Sequence, residues 1–241
     1  EDKIAKLLQY EYGVAANKVK FLAHQETSIL LSEYKKVTYN AMGFDKFVWE
    51  GESIVENDRA GVRFYRLSPD GEQGFPGNMH AYVTYWLTDD NVVKLEYDAT
   101  TDKPTVVNLS NHTYFNLRGS EGCYVMEHLL QVEADTCVQN NTHFCPDLLL
   151  PVDGTPFDFR TPQRVDYRID TPNEHLRIMK GMSACWVIRD WDGTLRRAAD
   201  LYDKKTGRGV ETWTTEPTLL TFTGRTFSAE KHQKGKYGPI E

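Results

Sequence analysis

The chain has 241 residues, of which 40% are hydrophobic and 26% charged, and its formal net charge is −7. That length suits one large domain, and the composition is that of an ordinary globular protein. The acidic balance argues against a nucleic-acid or anionic-membrane partner, because neutralising phosphates takes clustered Lys and Arg; no stretch approaches the ~18 apolar residues of a membrane-crossing helix.

Beginning at Glu1, with neither a Met nor an apolar signal core, the chain reads as processed or as a fragment. Ile4, Leu7 and Leu8 give at most two helical turns. Ser68-Pro69-Asp70-Gly71 and Pro76-Gly77 punctuate the chain before its strongest pattern. That pattern has period two: Met79 to Leu87 is rich in aromatic and β-branched residues, Thr88 to Asn91 is a polar turn, and Val92 to Ala99 alternates again. Together they predict a β-hairpin. Thr101 to Pro104 is a second turn, and Thr105 to Phe115 is read as a third strand. Later strands are expected at Leu195 to Tyr202, Gly209 to Thr215 and Thr218 to Thr223, with Lys204 to Gly207 as a hairpin tip. Many short strands with evenly placed turns indicate an all-β sandwich or barrel. There is no internal repeat and no linker, so residues 1–241 are read as one domain.

Four cysteines, Cys123, Cys137, Cys145 and Cys185, form no CxxC pair, which argues against a zinc knuckle. Cys137 and Cys145 could form a disulfide in an oxidising compartment, or remain free buried thiols, which is the commoner state. Cys137, His143 and Cys145 match no common metal-site spacing, so no metal is expected. There is no phosphate loop, nucleophile elbow or dinucleotide fingerprint, and no cofactor is implied.

Proton-transfer chemistry needs a group titrating near neutral pH and held by fixed partners. His112 has the most unusual setting, between Asn111 and Thr113 in an apolar, aromatic segment. Alternation along a strand would put His112, Tyr114 and Asn116 on one face, an imidazole, a phenol and an amide together. Such a face suits a polar-lined cavity; a hydrogen-bonded structural histidine is the plainer reading. In "GTPFDFR" (Gly154 to Arg160) the Asp–Arg pair reads as a structural ion pair. Trp86, Trp186, Trp191 and Trp213 could stack on sugar rings, though core packing is the simpler reading of each. Glycosylation sequons stand at Asn108 and Asn111, both expected mid-strand, and at Asn140, expected in a loop that a glycan could occupy were the protein secreted.

Several segments, in order, resemble the aldose 1-epimerase (galactose mutarotase) family: "GFDKFVWE" from Gly43, "LSPDGEQGFPG" from Leu67, "TDKPTVVNLSNHTYFNL" from Thr101, then "GTPFDFR" and "WTTEPTLLTFTG" from Trp213. The resemblance implies an all-β fold, an antiparallel β-sandwich of the galactose-mutarotase type, here truncated at both ends. It implies binding of a free monosaccharide, a hexose, without metal or cofactor, and a reaction that interconverts α and β anomers. A glutamate takes the C1 hydroxyl proton while a histidine protonates the ring oxygen; the ring opens, turns about C1–C2 and recloses. By resemblance His112 stands at the position of that acid, Tyr114 beside it in the same motif, and Asn17 and Lys18 in "AANKV" match the family's Ala-Asn-Arg sugar contact. Lys18 keeps the charge there but lacks the planar fork.

Other positions depart from the pattern. "VTYNAMGFDK" lacks the Leu-His-Gly-Gly segment expected before Gly43, and "GMSA" (Gly181 to Ala184) puts Ser183 where the family has a sugar-binding Asp. The family's catalytic Glu is expected just past Glu241. Two readings of function stand beside a third. The chain is a divergent member that binds sugar with lost or reduced activity, a non-catalytic structural subunit with protein partners, or an active epimerase seen as an incomplete chain. Family enzymes are mostly cytoplasmic, and the same is expected here, with secretion left open by the Asn140 sequon.

Overall fold

The computed structural model describes residues 43–119, 125–142 and 146–223, with the backbone of 234–235 and 238–239. Ile4, Leu7, Leu8, Asn17, Lys18, Cys123, His143 and Cys145 lie outside the described residues. The chain divides into two compact units, Glu1–Tyr114 and Phe115–Glu241.

In the first unit, β1 (Glu50–Val55), β2 (Arg59–Ser68), β3 (Met79–Thr88) and β4 (Val93–Thr101) form one antiparallel sheet in chain order. The β3–β4 hairpin is the one the alternation predicted. Met79, Ala81 and Val83 point to one face and pack with Phe64, Phe44 and Trp49 in the core of this unit. The Trp49 indole N–H donates to the Phe44 carbonyl at 3.1 Å. On the other face Trp86 is also buried: its N–H donates to Glu96 at 2.8 Å, and the Arg59 guanidinium lies 4.2 Å from its ring centre. Trp86 needs Gly61 beneath it, since a Cβ there would stand 2.6 Å from the ring.

The loop between β2 and β3 holds itself in place. Asp70 accepts from the Gly77 N–H at 2.6 Å and from Lys103 at 2.5 Å, while Asn78 bonds Asp102 through both backbone and side chain. Glu72 accepts from buried Arg66 at 2.5 Å and from Ser68 at 2.6 Å. The Lys103 ammonium, then the Gly77 N–H, hold the Asp70 carboxyl below the usual carboxylate range. "LSPDGEQGFPG" is thus a self-bonded loop that fastens to the turn after β4.

The expected strand at Thr105 to Phe115 is not one. Residues 106–116 carry no ladder, and Val106, Val107, Tyr114 and Phe115 are exposed. Alternation supplies strand-like side chains, but a strand also needs a neighbour's N–H and C=O groups, and none among the described residues pairs with this segment. Asn108 and Asn111 are accordingly exposed rather than locked in a ladder.

The second unit contains β5 (Leu129–Val132), β6 (Ala134–Asn140), β7 (Pro146–Pro151), β8 (Gln163–Arg164), helix α1 (Glu174–Met179), β9 (Ser183–Ile188), β10 (Arg196–Tyr202), β11 (Gly209–Thr214) and β12 (Thr218–Phe222). One antiparallel sheet runs β11-β10-β5-β8 and another β12-β9-β6-β7. Their inner faces share a core that includes Val132, Ala134, Phe159, Trp186, Ile188 and Ala198. Trp186 is fully buried, edge-on to Phe159, and its N–H donates to the Phe157 carbonyl at 3.2 Å. Arg160 forks onto Asp158 and reaches Asp153, so the Asp–Arg pair of "GTPFDFR" is a structural ion pair that holds its two phenylalanines in the core. Helix α1 starts at Asn173, whose side chain accepts from the Leu176 N–H, and stops at Lys180 in a left-handed conformation.

The described structure is therefore nearly all-β and antiparallel, as expected. Cys137 is a free, buried thiol with Leu150 opposite it in the β6–β7 ladder, and Cys185 is also free; burial pushes the Cys137 thiol up to about 11. Asn140 is not in an open loop: it ends β6, half-buried, with its amide 3.5 Å from the Met179 sulfur. Among the described residues no helix is long and apolar enough to cross a membrane.

Candidate functional site

Two of the predicted site residues meet. The His112 and Tyr114 rings lie 4.5 Å apart at 32°, and the Tyr114 hydroxyl is 3.3 Å from His112 Nε2. This is the i, i+2 neighbourhood expected of an extended segment, reached without a sheet. Asn111 tightens the same stretch, its side-chain oxygen accepting from the Thr113 hydroxyl at 2.8 Å. Burial lowers the His112 pKa, partly offset by a bond to its own backbone. Tyr114 is half exposed, but partial desolvation of its hydroxyl still pushes the phenol up to about 12, and that hydroxyl shares a hydrogen bond with Nε2 in which the donor is set by the imidazole tautomer.

Ser183 opens β9 and is almost fully buried, and its hydroxyl has no partner among the described residues. Its carbonyl lies 2.9 Å from Nε2 of His175, whose Nδ1 accepts from the Asn140 N–H at 3.1 Å. Both nitrogens of His175 are engaged and burial lowers its pKa, so it is a neutral structural histidine joining α1 to sheet strands β6 and β9. Asn17 and Lys18 fall outside the described residues. Among the described residues no three His, Cys, Asp or Glu side chains cluster to hold a metal ion.

Sequence reasoning missed a polar network just past the His112 motif. The Leu117 N–H donates to buried His128 at 3.1 Å, and the Leu117 carbonyl accepts from Arg208 at 3.1 Å and Thr206 at 3.3 Å. Arg118 bonds Asp203 at 2.9 Å and Glu127 at 2.6 Å; Asp203 is fully buried and also accepts from Thr206. The Arg118 guanidinium holds the Asp203 carboxyl far below the usual range. A run of Asp203 and Thr206 at a hairpin tip hints at a turn, but nothing local announces a partner 85 residues away.

The described residues thus combine an antiparallel all-β architecture with a His112–Tyr114 contact inside an Asn-rich motif. The model of the aldose 1-epimerase family matches residues 41–238. The chain is 37% identical over 183 residues to an aldose 1-epimerase of Escherichia coli (strain K12), covering 76% of this chain and 51% of that protein. It is 33% identical over 201 residues to a galactose mutarotase of Homo sapiens, with 82% and 54% covered. A crystal structure of galactose 1-epimerase from Lactobacillus acidophilus NCFM superposes with a TM-score of 0.66 at 25% identity, covering 78% of this chain and 54% of that one. The chain belongs to the aldose 1-epimerase family, and it spans about half the length of the curated relatives it matches.

Proposed function

We propose that this chain binds a free aldohexose and interconverts its α and β anomers through His112, at a rate well below that of a site holding the family's full set of polar groups. The observation that carries the reading is the His112–Tyr114 pair, set within the family's most diagnostic motif. Protonated His112 gives its proton to the ring oxygen as the C1–O bond breaks, while a base takes the proton of the C1 hydroxyl. The open aldehyde turns about C1–C2, and the steps reverse on the other face. Tyr114 aims the imidazole through Nε2, and Asn17 and Lys18 are assigned to sugar hydroxyls by resemblance.

The reduced rate is supported by two features. Burial disfavours the protonated imidazole that must act as the acid. Ser183, which by resemblance stands where the family has a sugar-binding Asp, is a buried hydroxyl. The family match crosses the boundary between the two units, which supports reading them as one domain. A cytoplasmic site of action is part of the same reading; the free thiols of Cys137 and Cys185 fit a reducing compartment.

Polarimetry on freshly dissolved α-galactose and α-glucose tests the proposal. Mutarotation above the buffer rate, lost in His112→Ala, is expected. A buffer rate together with no saturable monosaccharide binding by calorimetry would instead favour a non-catalytic structural subunit.

A further inference from the structure

The four tryptophans that could have met sugar separate cleanly: Trp86 and Trp186 are core residues, whereas Trp191 and Trp213 are 56% and 52% exposed. An exposed indole is uncommon, and two that are fixed in place are more so. Both are fixed. The Trp191 N–H donates to the Thr215 carbonyl at 2.9 Å, and the Trp213 N–H to Glu211 at 3.3 Å. Thr215 is two residues from Trp213, so the Trp191 indole is anchored to the chain segment that leaves Trp213. Arg196 locks the backbone under them, donating to the carbonyls of Arg189, Thr214 and Glu216.

The surroundings are polar and planar rather than aliphatic. Cross-strand register puts Arg197 opposite Trp213, Asp200 opposite Glu211 and Gln131 opposite Asp200, all on the solvent face of the β11-β10-β5 sheet. Ala198 supplies the bulge between Arg197 and Ala199 and is itself buried, so the polar set stays on one side. Arg197 is ion-paired with Asp200 and Glu133, which fixes its plane.

We propose that this face of the second unit is a saccharide-binding surface, taking pyranose units of an oligosaccharide. The C–H face of a pyranose carries partial positive charge and matches the negative face of an indole. The amide, carboxylates and guanidinium at its edge are shaped to take vicinal hydroxyl pairs. A protein partner would call for a larger aliphatic patch around the rings than these ion-paired neighbours provide. Fixed rings and prepaired charges lower the ordering cost of binding a ligand that offers little apolar area. The inference does not depend on the epimerase reading.

Titration with cellohexaose and maltohexaose, followed by calorimetry and tryptophan fluorescence, tests it. Expected is saturable binding of at least one hexasaccharide, with a blue-shifted emission, weakened tenfold or more by Trp191→Ala/Trp213→Ala. Trp213→Phe, which keeps a ring, should retain part of the affinity. No binding of either sugar at millimolar concentration overturns the proposal, as does binding unchanged in the double variant. A dimer in sedimentation that the double variant dissolves also overturns it, because the face then covers a second copy of the chain.

Discussion

Replacing Trp186 by Phe tests whether the second unit is held as described. The indole is fully buried between the two sheets of that unit, edge-on to Phe159, with its N–H on the Phe157 carbonyl. Phenylalanine loses that bond. The Phe157 carbonyl keeps the Phe159 N–H at 3.1 Å, so the loss falls at the low end of the range for a buried polar group, about 1 kcal/mol. Removing the second ring leaves a void of a few tens of Å³, and at ~24 cal/mol per Å³ that costs about 1 kcal/mol, with a similar loss of transfer free energy. The expected destabilisation is therefore about 2–3 kcal/mol. Urea unfolding followed by far-ultraviolet circular dichroism measures it, with the slope m unchanged. Trp213→Phe, at an exposed ring, should stay within ~0.5 kcal/mol of wild type. A Trp186→Phe loss below about 1 kcal/mol, or one equal to that of Trp213→Phe, would refute the placement of Trp186 in the core.

Other perturbations follow from the polar groups. Asp203 is held by Arg118 below the ordinary aspartate range, so its contribution is present above the unfolded pKa and fades as pH falls through the folded one. Wild type should accordingly exceed Asp203→Asn in urea stability at neutral pH, with the gap closing at strongly acidic pH; a gap independent of pH contradicts the ion pair. Ser183→Asp should not restore activity: it puts a carboxylate where the side chain is buried, so the thermal midpoint should fall and mutarotation should not rise. For His112, burial lowers the pKa, so the protonated acid is lost at lower pH than for an ordinary imidazole and the His112-dependent rate should decline as pH rises. A rate that peaks above pH 8 would assign the proton transfer to another group.

The β3–β4 hairpin was legible because Met79, Ala81 and Val83 alternate with polar or aromatic residues and a polar turn follows. The β10–β11 pair, with its Lys204 to Gly207 tip, was legible for the same reason. Residues 105–115 misled, since periodicity reports which side chains would share a face but not whether a neighbouring strand exists. Strands β5, β6 and β9 went unmarked because β5 and β6 are parted only by Glu133 and β9 hides behind "GMSA". At the site, the motif identified His112 and Tyr114, and their contact follows from spacing alone. His128, His175 and the Arg118–Asp203 pair could not be read, because each acts through a partner distant in sequence. The tryptophans show the same limit: four similar residues, two interior and two exposed, distinguished only by the fold.

The central claim is that His112 donates the proton that opens a bound sugar ring. Anomer exchange of C1-labelled galactose at equilibrium, measured by two-dimensional exchange NMR, tests it without the complication of net rotation. The account predicts exchange above the buffer rate in wild type, reduced by ~10²–10⁴-fold in its enzyme-dependent part by His112→Ala. Enzyme-dependent exchange that persists undiminished in His112→Ala would contradict it.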